Sequence, residues 1–122
     1  MTTEKIIVYG TLKRGFHNHG YCRNAVSIRE CTIVGALFEI GWGFPAFRPD
    51  LGTDRIGAEI VEVPVRDVPA IDRLEGVPHL YEKQRIECEL PDGTTDEATV
   101  YVMMHLPEHA KHMTGGRKVV WK

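Results

Sequence analysis

The sequence contains no apolar run approaching the roughly 20 residues that a helix needs to cross a bilayer. Its first residues, Met1-Thr2-Thr3-Glu4-Lys5, lead straight into Ile6-Ile7-Val8 without the apolar stretch of a signal peptide. A cytoplasmic protein without membrane contact is the expectation. Cysteine is scarce. Cys22, Cys31 and Cys88 are odd in number and form no CxxC or Cys/His pair at metal spacing, which argues against a disulfide framework and a zinc site. They are expected to be reduced and to serve as small core hydrophobes. A basic surplus is missing too: 15 Lys and Arg against 17 Asp and Glu give a net charge of −2, so no field recruits nucleic acid or anionic lipid. Repeats, low-complexity tracts and linkers are absent. At 122 residues the chain is expected to form one domain over 1–122, with no room for a separate dinucleotide-binding unit. A hydrophobic content of 43% excludes disorder of the whole chain.

What is present is a series of short apolar runs punctuated by Gly and Pro, the pattern of a turn-rich domain. Five strands are expected: Lys5–Tyr9, Cys31–Ile40, Ile56–Val63, Tyr81–Leu90 and Thr99–His105. The fourth alternates, with Ile86, Cys88 and Leu90 on one side and Arg85, Glu87 and Glu89 on the other. Gly35, inside the second, marks a bulge or a close backbone contact. Pro91-Asp92-Gly93 is a turn between the last two. One helix is clear from Val68 to Glu75: Asp67 is placed to cap it, Pro69 falls in its first turn, and Gly76 can close it. Weaker helical signals lie at Asn18–Val26 and after Pro107. Strands outnumber helices and alternate with them, which gives an α+β class. The expected architecture is a small mixed, partly closed β-barrel of about five or six strands with two or three short flanking helices.

Two segments carry chemical signals. In Val8-Tyr9-Gly10-Thr11-Leu12-Lys13-Arg14-Gly15, a strand ends and two glycines bracket a polar loop whose N–H groups can converge on an anion. A P-loop is excluded because Phe16 and His17 stand where Lys and Ser/Thr must be. From spacing alone, a plain Gly-rich turn is the commoner outcome. The second segment is Asp72-Arg73-Leu74-Glu75-Gly76. Val68, Ile71 and Glu75 share one helix face, so Glu75 lies on the stripe that buries itself and at the negative end of the helix. Both effects raise a carboxyl pKa, desolvation the more strongly, toward the range of a general acid and base at pH 7. A shift of one residue in the helix boundary would instead leave Glu75 on the surface.

Other constellations are weaker. His105, His109 and His112 have helical spacing, but Pro107 interrupts it; these and His17-Asn18-His19 read as solvated. No signature supports a Cys–His nucleophile at Cys22 or Cys31. Lys13 and Arg14 also read as solvated.

Taken together, these segments resemble the γ-glutamylcyclotransferase-like proteins, and within them the γ-glutamylamine cyclotransferase branch. Residues 8–15 followed by Asn18-His19 match the N-terminal loop of that branch nearly residue for residue. Ile71-Asp72-Arg73-Leu74-Glu75-Gly76 followed by Tyr81 matches its second block. Phe44-Pro45-Ala46-Phe47 and Gly57–Val63 resemble the segments between, so the resemblance runs from Ile6 to Tyr101. It implies a small mixed barrel, substrate binding by Tyr9, Gly10, Thr11 and Leu12, a catalytic Glu75, and pocket tyrosines at Tyr81 and Tyr101. It implies a cofactor-independent and metal-free cyclisation of a γ-glutamyl amine or γ-glutamyl amino acid to 5-oxoproline, as a lyase- or transferase-type reaction. The partner would be a small-molecule substrate, and the protein a monomer or small homo-oligomer. The chain departs from the pattern in carrying Thr11 where many relatives have Ser. It also has Met113-Thr114-Gly115-Gly116-Arg117 in place of a Gly-Asp-Trp-like segment, with Trp121 following later. The alternatives are a binding module using the same pocket without turnover, and an enzyme of the same fold acting on another acyl-amino compound.

Overall fold

The computed structural model describes residues 2–114 and 118–121. Seven strands occur among them: β1 (Thr3–Val8), β2 (Ser27–Glu39), β3 (Pro45–Arg48), β4 (Asp54–Pro64), β5 (Glu82–Glu89), β6 (Thr95–Val102) and β7 (Lys111–Met113). The α-helix, α1, spans Val68–Leu74, and short 3₁₀ turns cover His19–Cys22 and Val65–Asp67. Five strands, in the order β2-β4-β1-β6-β5, close on themselves where Thr32 of β2 pairs with Glu89 of β5. β1 is antiparallel to β4 and parallel to β6, which makes the barrel mixed. The expected architecture is therefore present, with β3 and β7 added outside the barrel.

Alternation along the strands builds two apolar layers. Ile7, Ile33, Ile60, Cys88 and Val100, from all five barrel strands, share one cluster inside. Their neighbours Ile6, Val8, Val61, Val63 and Tyr101 face outward and are covered by Val68 and Ile71 of α1. All three cysteines are buried and free, as expected of core residues. β2 changes partners at Gly35: before it the strand pairs with β4, and after it with β3 and β7. A Cβ at Gly35 would stand 2.7 Å from Phe47 Cε1, so the close contact expected there is present.

Several local expectations are corrected. β3 begins at Pro45, a residue that reads as a breaker but is tolerated at the first position of an edge strand. The one turn expected after Pro107 is present, closed by Ala110 N–H to Pro107 O, but the three-residue β7 that follows it is not among the expected strands. The Asn18–Val26 signal contracts to the 3₁₀ turn His19–Cys22. Asp67 does not cap α1: its carboxylate accepts from Asn24 Nδ2 at 3.1 Å, because the 3₁₀ turn Val65–Asp67 already leads into the helix. The fifth expected strand, β6, runs Thr95–Val102 rather than Thr99–His105, since it pairs along its whole length with β5 from the Asp92-Gly93 turn onward. Gly115, Gly116 and Arg117 lie outside the described residues.

Candidate active site

The barrel topology brings the two chemical segments together. β1 and β6 are parallel, so the loop after Val8 and the residues around Tyr101 leave the barrel at the same end. Tyr81 precedes Glu82, which pairs with Val102, and so reaches that end from β5. α1 lies across the outer layer and delivers Glu75 from its C-terminus. The result is a cavity of about 210 Å³ lined by Tyr9, Gly10, Thr11, Leu12, Glu75, Tyr81 and Tyr101. All seven residues singled out in the sequence share this one cavity. Ile7, Val8, Asn18, Phe44, Pro45, Leu74 and Leu80 complete its wall.

The loop is held from several directions. Gly10 must lack a side chain, because a Cβ there would stand 2.7 Å from Pro45 Cδ. Thr11 Oγ1 accepts from Asn18 Nδ2 at 2.9 Å, and Asn18 N–H donates to Thr11 O. His19 Nδ1 stands 2.8 Å from Leu12 O and donates to it, since a carbonyl only accepts. Arg14 donates its backbone N–H and its Nε to the two oxygens of Glu59. Among the described residues, the N–H groups of Gly10, Thr11 and Leu12 find no protein acceptor, whereas those of Lys13 and Arg14 do. Three adjacent donors of this kind on a cavity wall can serve as an anion-binding concavity.

Here the solvated reading fails at two residues, Lys13 and His19. Lys13 is buried, and its Nζ donates to Trp121 O at 3.0 Å. Val119 lies alongside β4 in a parallel bridge to Ile56, bonded to Arg55 and Gly57, and so brings the nearby Trp121 carbonyl to the loop. Arg14 keeps an exposed side chain but is paired with Glu59. His17, His105, His109 and His112 are exposed as expected, with His109 Nε2 donating to Ile40 O and His112 facing Asp54, while His19, half-buried, holds the loop.

Glu75 is the C-cap of α1, and Gly76 follows with φ +66°, a conformation costly for any residue with a Cβ. Gly76 N–H bonds to Arg73 O and Val77 N–H to Asp72 O, the paired bonds of a Schellman ending. The termination fixes the direction in which Glu75 leaves the helix. Burial, and then the charge of Asp72, push its carboxyl up from 4.5 to about 7. The sequence anticipated burial as the larger cause. The second cause is Asp72, three residues earlier on the same helix, rather than the helix end. That i, i+3 pair of acids was visible in the sequence, but only the fold shows that both side chains are turned toward the same end of the barrel.

The tyrosines brace the walls. Tyr9 Oη donates to Tyr101 O at 2.7 Å, Tyr81 Oη to Pro45 O, and Tyr101 Oη to Asp72 Oδ1 at 2.7 Å. Burial raises all three phenols, so they stay protonated. Asn18, Asp72 and the rim residues Phe44, Leu74 and Leu80 are among the contributors that the sequence did not assign to the site. No group of three His, Cys, Asp or Glu among the described residues stands close enough to hold a metal ion. No helix among them is long and apolar enough to cross a membrane.

Comparison with known proteins places this arrangement in context. The family model described as "Gamma-glutamyl cyclotransferase, AIG2-like" matches residues 6–121. The γ-L-glutamyl-butirosin B γ-glutamyl cyclotransferase of Niallia circulans is 32% identical over 105 residues, covering 80% of this chain. The match spans 65% of that relative's own length. Among solved structures, an AIG2-like protein from Mus musculus superposes with a TM-score of 0.73 at 23% identity, over 89% of this chain and 87% of that one. A uropathogenic E. coli-specific protein gives a TM-score of 0.71 at 25% identity, over 93% and 90%. The match to the mouse protein speaks for the shared fold.

Proposed function

Because the chain belongs to the AIG2-like γ-glutamyl cyclotransferase family, we propose that it converts a γ-glutamyl amine or γ-glutamyl amino acid into 5-oxoproline and the free amine. One observation carries this reading: Glu75, with its carboxyl raised to about 7, lines the same cavity as Gly10, Thr11 and Leu12, whose N–H groups have no acceptor among the described residues.

The reaction is intramolecular. The loop N–H groups take the substrate's α-carboxylate, and the buried floor folds the glutamyl chain so that its α-amine approaches the γ-carbonyl. Holding that near-attack shape removes the entropy of ring closure from the barrier. Glu75 in its ionised form accepts a proton from the α-ammonium and frees the nucleophile. The new C–N bond closes the five-membered lactam, and the protonated Glu75 returns its proton to the departing nitrogen as the original amide C–N bond breaks. The ring nitrogen gives up its second proton to the released amine, which leaves as an ammonium with Glu75 ionised again. A carboxyl titrating near pH 7 serves both steps, because it exchanges its proton with little driving force wasted in either direction. The phenols of Tyr81 and Tyr101 have donated their hydrogens to the protein and act as rigid wall.

The test is direct. Incubation with γ-glutamyl amines, γ-glutamyl amino acids and glutathione is followed by mass spectrometry for 5-oxoproline. Release from at least one class, abolished in Glu75→Gln, is the expected result. Stabilisation against heat by 5-oxoproline with no turnover of any compound overturns the catalytic reading in favour of a binding module.

A further inference from the structure

The cavity has a buried floor and an open rim. Tyr9, Gly10, Thr11, Leu12, Tyr81 and Tyr101 are buried, whereas Asn18, Phe44, Leu74, Glu75 and Leu80 retain exposure. Three of those five rim residues are apolar. Among the described residues that line the cavity, none is Lys, Arg or His.

An aromatic series continues outward from this rim. Tyr81 and Phe44 have ring centroids 6.3 Å apart, and Phe44 and Trp42 6.0 Å apart. Exposure rises along the series, from 2% at Tyr81 to 54% at Trp42. Trp42 packs in neither apolar cluster of the barrel, so the core does not require it. It is nonetheless held in place: His109 stacks edge-on against it at 6.0 Å and is itself fixed to Ile40 O at 2.6 Å. Leu80, 37% exposed, adds a further apolar surface at the rim. An indole that is positioned but uncovered, continuous with the wall of a cavity, is a surface prepared for a ligand.

We propose that Trp42, Phe44 and Leu80 form the subsite for the leaving amine, and that this amine carries an aromatic or similarly flat apolar body with no carboxylate beside the scissile nitrogen. The proposal rests on the cyclotransferase reading. The glutamyl half fills the buried floor, so the amide nitrogen served by Glu75 lies toward the rim, and its substituent extends over the apolar shelf. A carboxylate on the carbon next to that nitrogen would lie close to the Glu75 carboxylate, with no cation among the described residues of the cavity wall to meet it. Like charge and lost hydration would count against such substrates.

Three synthetic compounds test the assignment: γ-glutamyl-phenethylamide, γ-glutamyl-ethylamide and γ-glutamylphenylalanine. We expect kcat/KM, read as 5-oxoproline release, to be about tenfold or more higher for the phenethylamide than for either of the others, the scale of burying a ring or of meeting an unpaired charge. In Trp42→Ala the ratio of phenethylamide to ethylamide should fall about fivefold or more, and Trp42→Phe should restore most of it. Equal or better turnover of γ-glutamylphenylalanine overturns the proposal, as does an unchanged ratio in Trp42→Ala. Turnover of the ethylamide without aromatic preference overturns the subsite alone. Absence of 5-oxoproline from all three overturns the catalytic reading and the subsite with it.

Discussion

Tyr101 donates its phenolic hydrogen to Asp72 Oδ1 at 2.7 Å, and Lys83 Nζ meets the other oxygen of the same carboxylate at 3.1 Å. The two bonds tie the last turn of α1 to β5 and β6, and they hold the Asp72 charge three residues ahead of Glu75. That charge is the second cause, after burial, of the raised Glu75 carboxyl. Replacing Asp72 by Asn keeps an acceptor for Tyr101 and removes the charge. The Glu75 pKa then falls, its base form survives to lower pH, and the acid limb of the kcat/KM profile moves down in pH. Because burial remains, the limb should stay above the 4.5 of an ordinary Glu. A pH–rate profile of Asp72→Asn against the parent protein checks both statements. An unmoved limb would remove Asp72 from any role in tuning the acid.

Glu75→Gln should lower turnover by about 10²-fold or more, the scale of a lost general acid and base. It should also change the pH dependence of stability in a defined direction. With its folded-state carboxyl raised from 4.5 to about 7, the native protein holds a proton through that window that the unfolded chain has released. Stability therefore falls as pH rises from 4.5 to 7, and the full penalty is present above 7. Gln carries no such penalty. Urea denaturation should show the variant gaining on the parent between pH 4 and pH 8 by on the order of 2 kcal/mol. A constant difference at all pH values would mean that Glu75 titrates normally.

The strands around this site were legible because burial imposes patterns. Ile6-Ile7-Val8 is apolar on both faces because β1 sits between the barrel interior and α1. Val68, Ile71 and Glu75 share a stripe because α1 buries one side. β3 and β7 left little trace, being three or four residues long and dependent on β2 for partners. Lys13 and His19 were misread for a related reason. Each is fixed by a backbone carbonyl, and an accepting carbonyl has no residue type to announce it in the sequence. Phe44 and Leu80 meet the cavity through loops, where no periodicity indicates which way a side chain turns.

The helix ending predicts a separable effect on position and stability. Gly76→Ala places a Cβ at φ +66° and 3.0 Å from Leu80 Cβ. The backbone cost is about 1–2 kcal/mol, measurable as a lower urea midpoint. Glu75 precedes this residue directly, so activity should fall further than the lost stability accounts for under conditions where the protein remains folded. Asp67→Ala, at the other end of α1, is the control: its side chain makes no cap bond. It should alter neither turnover nor midpoint by more than about 0.5 kcal/mol.

The Lys13 ammonium separates the loop's role in binding from the chemistry at Glu75. It is buried, donates to Trp121 O at 3.0 Å, and lies 5.0 Å over the Phe16 ring, so it fixes the loop without lining the cavity. Lys13→Met retains the buried stem and removes the bond to residue 121. If the N–H groups of Gly10, Thr11 and Leu12 hold the substrate carboxylate in ground state and transition state alike, loosening them weakens both equally. KM should then rise by about tenfold while kcat changes less than about threefold. Glu59→Gln, which weakens the opposite anchor at Arg14, should shift the same parameter in the same direction. A fall in kcat at constant KM in both variants would instead mean that the loop acts on the transition state, placing its N–H groups at the developing oxyanion of the γ-carbonyl rather than at the α-carboxylate.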